Sequence, residues 1–149
     1  MRAVVQRVTQ ASVTVDETEV GRIGSGLLVL LGVESGDSEK DAVYLADKLA
    51  KLRIFLDSEG KMNLSVKEAG GEVLMISQFT LLGDARGQNR PGFTRAEEPE
   101  HANQLYLACC RQVEEHGINT QRGLFRAHMA VSLTNEGPVT ILLDSNKQF

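Results

Sequence analysis

The stretch Val73-Leu74-Met75-Ile76-Ser77-Gln78-Phe79-Thr80-Leu81 decides the architecture of this chain. Its first four residues are apolar and nearby glycines bound the run, so the pattern predicts a buried strand over residues 73–81. The strand then turns polar at its end. Hydroxyl, amide and backbone N–H groups in succession there are suited to stabilising an oxyanion. The same hydroxyls could instead satisfy neighbouring backbone groups, and the residues alone favour that structural interpretation.

The composition is that of one ordinary globular domain. The chain has 149 residues, of which 42% are hydrophobic and 24% are charged, and a chain of this length buries about 70% of its unfolded surface. No repeat, linker or low-complexity segment divides it, so residues 1–149 are predicted to form a single domain. A formal net charge of −4 gives no overall attraction to nucleic acid, and any RNA contact must therefore be local.

Cysteine usage and hydropathy predict the compartment. Cys109 and Cys110 are adjacent, and neighbouring side chains on a helix diverge by about 100°, which disfavours a disulfide between them. The first residues lack the apolar core of a signal peptide, and the longest apolar block, residues 26–33, is too short to span a bilayer. We therefore expect a cytoplasmic protein with no membrane partner.

The periodicity predicts a mixed arrangement of strands and two helices. Ser38 is a plausible N-cap for an apolar stripe running from Ala42 to Leu52, and Pro99 suits the first position of a second helix that ends near His116-Gly117. The block 26–33 does not alternate, which is typical of a strand covered on both faces. The other predicted strands cover residues 3–8, 12–15, 19–23, 53–56, 128–133 and 139–143, with a tight connection at 134–138.

The residue types that usually carry hydrolysis give little signal here. His101 and His116 lie about 22 Å apart on one predicted helix, and no His, Asp or Glu set has ligand spacing, so neither a metal nor another cofactor is predicted. His128 is interpreted as a surface residue. Ser77 and Thr80 lack a G-x-S-x-G elbow and a nominated base, which disfavours a conventional triad.

Two loops contain the remaining candidates. The glycine-containing loop 83–93 carries Arg86 and Arg90, which could meet phosphate, although arginines on loops are usually only solvated. Gly137-Pro138 belongs at a strand start or edge because proline donates no ladder hydrogen bond. Only about 5–6% of X-Pro bonds in folded proteins are cis, so the residues alone predict a trans bond.

Several motifs together resemble one family. SQFTL at 77–81, NRPGF at 89–93 and NEGPVT at 135–140 are similar to motifs of the D-aminoacyl-tRNA deacylases, and MRAVVQRVTQASVTV at 1–15 is similar to the amino terminus of that family. IGSGLLVLLGVE at 23–34 and GKMNLSV at 60–66 also match. The motifs occur in the right order over nearly the whole chain, so the resemblance is more specific than any one of them.

The resemblance implies hydrolysis of the ester that joins a D-amino acid to the 3′ end of tRNA, a proofreading step in translation. It implies an α/β fold of the α+β type, with a mixed, mostly antiparallel, barrel-like sheet and two main helices packed against it. It implies that the Gly137-Pro138 bond is cis and enters the pocket of a second copy, so that the partners are aminoacyl-tRNA and an identical subunit. L-amino acids would be excluded by this motif, whereas glycine would not. The implied catalytic residues are Ser77, Gln78, Phe79 and Thr80, and the implied substrate-binding residues are Gly137, Pro138, Met129, Arg7, Asn89, Arg90, Pro91 and Phe93.

Two positions depart from the family pattern, and two chemical questions stay open. Arg126 stands where the family commonly has a small residue, and Gly92 stands where serine is frequent. In one route water attacks the ester with assistance from the neighbouring ribose hydroxyl, and the backbone N–H of Phe79 or Thr80 stabilises the oxyanion. In the other route the Thr80 hydroxyl is itself the nucleophile. A nucleic-acid-binding module without catalysis and a small-molecule esterase or amidase are the alternative functions.

Overall fold

A computed structural model describes all 149 residues of the protein. Two helices and eight strands follow one another along the chain, and a short 3-10 turn, Phe79–Leu82, follows the sixth strand. The helices are α1 (Glu39–Lys51) and α2 (Pro99–Glu115). The strands are β1 (Arg2–Val15), β2 (Thr18–Ile23), β3 (Gly26–Gly32), β4 (Phe55–Leu56), β5 (Met62–Leu64), β6 (Glu72–Ser77), β7 (Thr120–Arg122) and β8 (Ala130–Asp144).

The long strand β1 organises a six-stranded mixed sheet. β1 pairs antiparallel with β3 through its first half, with β2 through its second half, and with β8 along most of its length. β6 and β7 extend the sheet in parallel, giving the order β2-β1-β3-β6-β7. The sheet curls back on itself and brings the edge strands β2 and β7 together. A Cβ on Gly21 of β2 would lie only 3.0 Å from the carbonyl oxygen of Arg122 in β7. The predicted barrel-like sheet with two main helices is confirmed.

The apolar residues divide between the two faces of the sheet. The larger cluster lies under the helices, where Leu45 and Leu49 of α1 and Tyr106 of α2 pack with Val29 and Met75 of the sheet. The smaller cluster lies on the opposite face and contains Val13, Ile23, Leu74 and Ile76. Burial on both faces explains why β3 and β6 are apolar without alternation.

Both predicted helix starts are confirmed. The backbone N–H of Ser38 donates to Asp41 Oδ2 at 2.8 Å, which is one half of a capping box. Pro99 occupies the first turn of α2, and the side chain of Glu98 accepts hydrogen bonds from the next free N–H groups. Gly117 follows α2 at φ +81°, a conformation that glycine adopts without a Cβ clash.

Several predicted strand boundaries are wrong. The predicted strand 73–81 ends at Ser77, because residues 79–82 form the 3-10 turn, and the predicted strand 53–56 is reduced to Phe55–Leu56. The two predicted strands at 3–8 and 12–15 are one strand, β1. Likewise, the predicted strands at 128–133 and 139–143 form the single strand β8, and residues 134–138 are not a hairpin connection. Pairing with β1 on both sides of the Gly-Pro pair holds β8 together across a sequence that locally predicts a turn.

Neither helix is suited to a bilayer, and neither cysteine forms a disulfide. No helix combines the length and the apolar character needed to cross a bilayer. Cys109 and Cys110 are both free and buried in α2. Burial raises the pKa of the Cys109 thiol, and it raises that of Cys110 to about 12. Both thiols therefore stay protonated at neutral pH.

Candidate active site

A pocket of about 800 Å³ lies at the carboxyl ends of the parallel strands β3 and β6. Ligand sites commonly lie at such an edge, where strand ends and loops converge. Leu28 and Leu30 of β3 and Ile76 of β6 supply apolar lining, and most of the other lining residues are also apolar. The remaining lining residues are Gln6, Leu31, Val33, Ser77, Gln78, Phe79, Thr80, Ala96, Glu97, Pro99, Ala102, Tyr106, Phe125, Arg126, Ala127, His128, Met129, Val131 and Leu133.

One wall of the pocket is the polar segment 77–80. Its start is fixed by β3, because the backbone N–H of Gln78 donates to the carbonyl oxygen of Leu31 at 2.8 Å. Gly32 makes room for the segment, since a Cβ there would lie 2.8 Å from the Gln78 carbonyl oxygen. Phe79 is 57% exposed, so its ring is available at the pocket edge. The absence of a side chain on Gly32 is what lets the chain turn sharply at this point.

Hydrogen bonding within this wall leaves two backbone donors free. The Gln78 side-chain amide donates to Thr80 Oγ1 at 2.9 Å. The backbone N–H groups of Phe79 and Thr80 begin the 3-10 turn and donate to no group of the chain. The only partner of the Thr80 hydroxyl is thus an amide N–H, which cannot take up its proton. The wall offers donors to a developing oxyanion and no base to Thr80.

A second wall of the pocket is the segment 125–129, which lies on a turn before β8. The backbone N–H of Ala127 donates to the Leu124 carbonyl oxygen at 3.2 Å and closes this turn. Arg126 has φ +66°, in the left-handed region, and its side chain is exposed. Met129 is half-buried and lines the pocket. His128 is exposed, as the sequence predicts, and it also lines the pocket.

Tyr106 of α2 connects the pocket to strand β6. Its hydroxyl donates to the Met75 carbonyl oxygen at 2.9 Å, and the same oxygen accepts the backbone N–H of Gly123 at 3.0 Å. Burial raises the pKa of Tyr106 above its ordinary value, so the phenol stays protonated and keeps donating. Two bonds thereby hold β6 in place just before its polar end.

The NRPGF loop contributes one aromatic ring to the site. Phe93 packs edge-on against Phe79 with a centroid distance of 5.1 Å, while Asn89, Arg90 and Pro91 are exposed and do not line the pocket. Arg86 is bound by Asp84 through two side-chain hydrogen bonds, and these bonds hold the pKa of Asp84 well below its usual range. Among the implied substrate-binding residues of this loop, only Phe93 contacts a residue of the pocket wall.

Gly137 and Pro138 lie in β8, outside the pocket. In β8, Asn135 pairs with Val8 and Thr140 pairs with Gln6, so residues 136–139 project from the sheet opposite a single β1 residue. The Gly137-Pro138 bond is cis, so the trans bond predicted from frequencies is wrong and the isomer implied by the resemblance is present. Both residues are exposed, and neither lines the pocket of its own chain.

Two side chains fix the shape of this projecting loop. The Asn135 amide closes the loop base, since Oδ1 accepts the Val139 N–H at 2.8 Å and Nδ2 donates to the Val139 carbonyl oxygen at 3.2 Å. Arg7 is buried behind the loop and donates to the carbonyl oxygens of Glu136 at 3.2 Å and Ile54 at 2.6 Å. Arg7 therefore supports the loop within the chain rather than lining the pocket.

Sequence reasoning missed several pocket residues. Tyr106 was interpreted only as part of an apolar helix stripe, and Phe125 and Gln6 were not singled out. No local signal separates these residues from ordinary core or edge residues. They become pocket residues because α2, β1 and the turn before β8 converge on the end of β6.

Free backbone donors beside an apolar cavity are the arrangement of an enzyme that stabilises negative charge on a carbonyl oxygen. The chain belongs to the D-Tyr-tRNA(Tyr) deacylase family, whose model matches residues 4–144. Membership of this family makes it a hydrolase, as the sequence predicted. A protein of Anaeromyxobacter dehalogenans named D-aminoacyl-tRNA deacylase is 61% identical to it, with both chains covered in full.

Solved structures support the same fold. A protein described as c-Myc DNA Unwinding Element Binding Protein is 39% identical and superposes with a TM-score of 0.90, covering 97% of this chain and 98% of the other. A probable eukaryotic D-amino acid tRNA deacylase is 18% identical, with a TM-score of 0.81 over 95% of this chain and 97% of the other. The second similarity concerns the fold alone.

Proposed function

We propose that this protein hydrolyses the ester between a D-amino acid and the 3′ end of tRNA, acting in the cytoplasm as a chirality check on translation. The observation that carries the proposal is the pair of free N–H groups of Phe79 and Thr80 at the pocket wall. The pocket is large enough for an adenosine bearing an aminoacyl group. An ester carbonyl placed beside the two donors would have its developing negative charge stabilised.

The substrate itself supplies the chemical assistance that the protein lacks. An aminoacyl ester on ribose has a neighbouring hydroxyl, which can assist attack by water on the carbonyl carbon. Thr80 is bonded only to the Gln78 amide, which is a donor, so nothing in the chain activates the threonine as a nucleophile. In this mechanism Gln78 orients the Thr80 hydroxyl and the adenosine end, and the backbone performs the electrostatic stabilisation.

The projecting loop at Gly137-Pro138 supplies the chirality filter to a second copy of the chain. The loop is exposed, is held by Arg7 and Asn135, and is absent from the pocket of its own chain. A rigid backbone segment inserted into the partner's pocket would turn carbonyl oxygens toward the substrate amino group and clash with an L side chain. Rejection by a clash discriminates strongly. Glycine has no side chain and would be accepted, so glycyl-tRNA is a second substrate, and the active form is a homodimer.

The rates of deacylation of D-tyrosyl-tRNA and L-tyrosyl-tRNA test this proposal directly. We expect fast loss of only the D-ester with the wild-type protein and weaker discrimination with Pro138→Ala. Negligible loss of both esters with the wild-type protein would contradict the function. Light scattering that reports only a monomer would contradict the filter between subunits.

Single-turnover rates of Thr80→Val and Thr80→Ala separate the two chemical routes. Valine keeps the shape of threonine but has no hydroxyl, so retention of most activity supports assistance by the substrate. Loss of about six orders of magnitude, as expected when a covalent nucleophile is removed, would assign the attack to Thr80.

The second candidate function is nucleic-acid binding without catalysis, and it is favoured by the 39% identity to the c-Myc DNA Unwinding Element Binding Protein. Its signature would be duplex DNA affinity with a steep salt dependence and no loss of aminoacyl ester. The net charge of −4 argues against it. A small-molecule esterase would instead turn over D-tyrosine ethyl ester in the absence of tRNA, and we expect no such turnover.

A further inference from the structure

Arg126 is the only lysine or arginine among the residues that line the pocket. Other arginines are occupied within the chain: Arg86 by Asp84, and Arg95 by Glu34. Arg126 has no such partner and its side chain is exposed. The pocket thus carries one free permanent cation.

The negative charge of the pocket does not neutralise this cation. Glu97 is the only carboxylate in the lining, and it is engaged by His101 Nδ1 at 3.0 Å. That bond, together with a backbone N–H, lowers the pKa of Glu97 below its ordinary value. The other titratable groups of the lining are His128 and Tyr106, and the Tyr106 phenol stays protonated because burial raises its pKa. An incoming anion would therefore meet a guanidinium that no carboxylate of the chain holds.

The backbone at Arg126 gives a second, independent reason to ask what the side chain does. At φ +66° a residue with a side chain is strained, whereas glycine is not. The turn closed between Leu124 and Ala127 places Arg126 at its apex. Its neighbours Phe125 and Ala127 are half-buried and line the pocket, so Arg126 lies on the solvent side of the same wall. A strained arginine is thereby held at the entrance.

We propose that Arg126 binds the phosphate that joins the last two nucleotides of the tRNA and so positions the terminal adenosine for hydrolysis. This inference rests on the proposed function, because it takes the 3′ end of tRNA as the ligand. The pocket lining is otherwise largely apolar and suits the base, the ribose and the aminoacyl group. The phosphate is the nearest anion of the substrate and must stay near solvent, where the guanidinium lies. Arginine matches phosphate through charge-assisted, bidentate hydrogen bonds. Arg126 is thus a positioning residue and takes no part in the bond cleavage.

Two substitutions separate the charge of Arg126 from its backbone strain. Arg126→Gln removes the charge and keeps a side chain at positive φ, whereas Arg126→Gly removes both. Arg111→Gln is the matched control, because Arg111 is exposed on α2 and does not line the pocket. Each protein is used as the full chain. The probe is tRNA carrying D-tyrosine through an amide at its 3′ end, which cannot be hydrolysed as the ester is.

Affinity across a range of salt concentrations is the decisive readout. We expect both Arg126 variants to bind the amide probe about five- to tenfold more weakly at low salt. The slope of log affinity against log salt should fall by about 0.7, the value for one phosphate contact on a single strand. Saturating single-turnover rates should change little. Arg126→Gly alone should raise Tm, by about 2–4 °C, because only glycine relieves the positive φ. Arg111→Gln should match the wild type in slope and affinity.

Three results would overturn the inference. These are a wild-type salt slope in Arg126→Gln, an equal loss of slope in Arg111→Gln, or a loss confined to the saturating rate. Failure of the proposed function would be seen separately. In that case the wild-type protein would leave D-tyrosyl-tRNA intact, while the binding series would still show whether Arg126 contacts the phosphate.

Discussion

Gly32→Ala is expected to displace the pocket wall at residues 78–80, although Gly32 itself does not line the pocket. A Cβ at position 32 would lie 2.7 Å from Leu82 Cδ2, 2.8 Å from the Gln78 carbonyl oxygen and 3.1 Å from Leu81 Cβ. Ordinary Cβ contacts begin at 3.4 Å, so restoring an ordinary contact moves the Gln78 carbonyl by about 0.6 Å if β3 stays in place. The two free N–H groups follow Gln78 directly and would move with it.

The magnitude follows from packing and from positioning. Adding a methyl group to a packed interior costs about 1–3 kcal/mol, which lowers Tm by about 2–12 °C for a chain of this length. Misplacing a catalytic group by about 1 Å costs up to a hundredfold in rate, so a shift of about 0.6 Å should cost about tenfold. We therefore expect a moderate loss of stability and a larger loss of single-turnover rate on D-tyrosyl-tRNA.

Gly24→Ala is the matched control. A Cβ on Gly24 meets nothing within 4 Å, so this variant should keep wild-type Tm and rate. Both variants are measured by thermal unfolding and by single-turnover deacylation at a temperature well below Tm. If Gly32→Ala is destabilised yet hydrolyses the D-ester at the wild-type rate, the position of the Gln78 backbone does not control the chemistry and the reasoning is wrong.

Three further predictions concern residues around the site. Tyr106→Phe should lower the free energy of unfolding by about 1 kcal/mol in a urea titration, because the Met75 carbonyl oxygen loses one of its two donors; no change would mean that water replaces the phenol. Thiol reagents should label Cys109 and Cys110 in the native protein only as fast as the protein locally unfolds. The free energy of unfolding should fall as pH rises above the ordinary thiol pKa, because the pKa values of both thiols are raised in the folded state and the thiols of the unfolded chain therefore lose their protons first. A double alanine variant should reduce that alkaline loss, and fast labelling at pH 7 would contradict the burial. Arg7→Met should leave the carbonyl oxygens of Glu136 in the projecting loop and of Ile54 without their donor. We expect D/L discrimination to fall more than the rate on the D-ester; equal loss of both would mean that Arg7 serves the whole fold.

The local pattern of the chain was sufficient to predict features that depend on neighbouring residues. The apolar run at 26–33 gives strand β3, the cap at Ser38 and the proline at 99 give the starts of α1 and α2, and Gly117 gives the end of α2. Each of these is set by burial, by free N–H groups at a helix start, or by backbone freedom within a few residues. The order of motifs along the chain also predicted the family.

The features that failed to follow from sequence depend on contacts between distant segments. The Gln78 N–H donates the last bond of the β3–β6 ladder to Leu31, more than forty positions earlier in the chain, and β6 can end there in a turn because Gly32 leaves space for it. β8 continues through a Gly-Pro pair because β1 pairs with it on both sides. Local turn propensity is overridden wherever such long-range pairing satisfies the backbone.

The site shows the same division. The sequence by itself determined which groups are present at the polar strand end, and it marked Arg126 as unusual. Only the tertiary structure brought that strand end together with the turn at 125–129, placed Tyr106 beneath it, left the N–H groups of Phe79 and Thr80 free, and kept the Gly137-Pro138 loop outside its own pocket. Side-chain chemistry is carried by each residue alone, whereas a pocket exists only after segments distant in sequence have packed against one another.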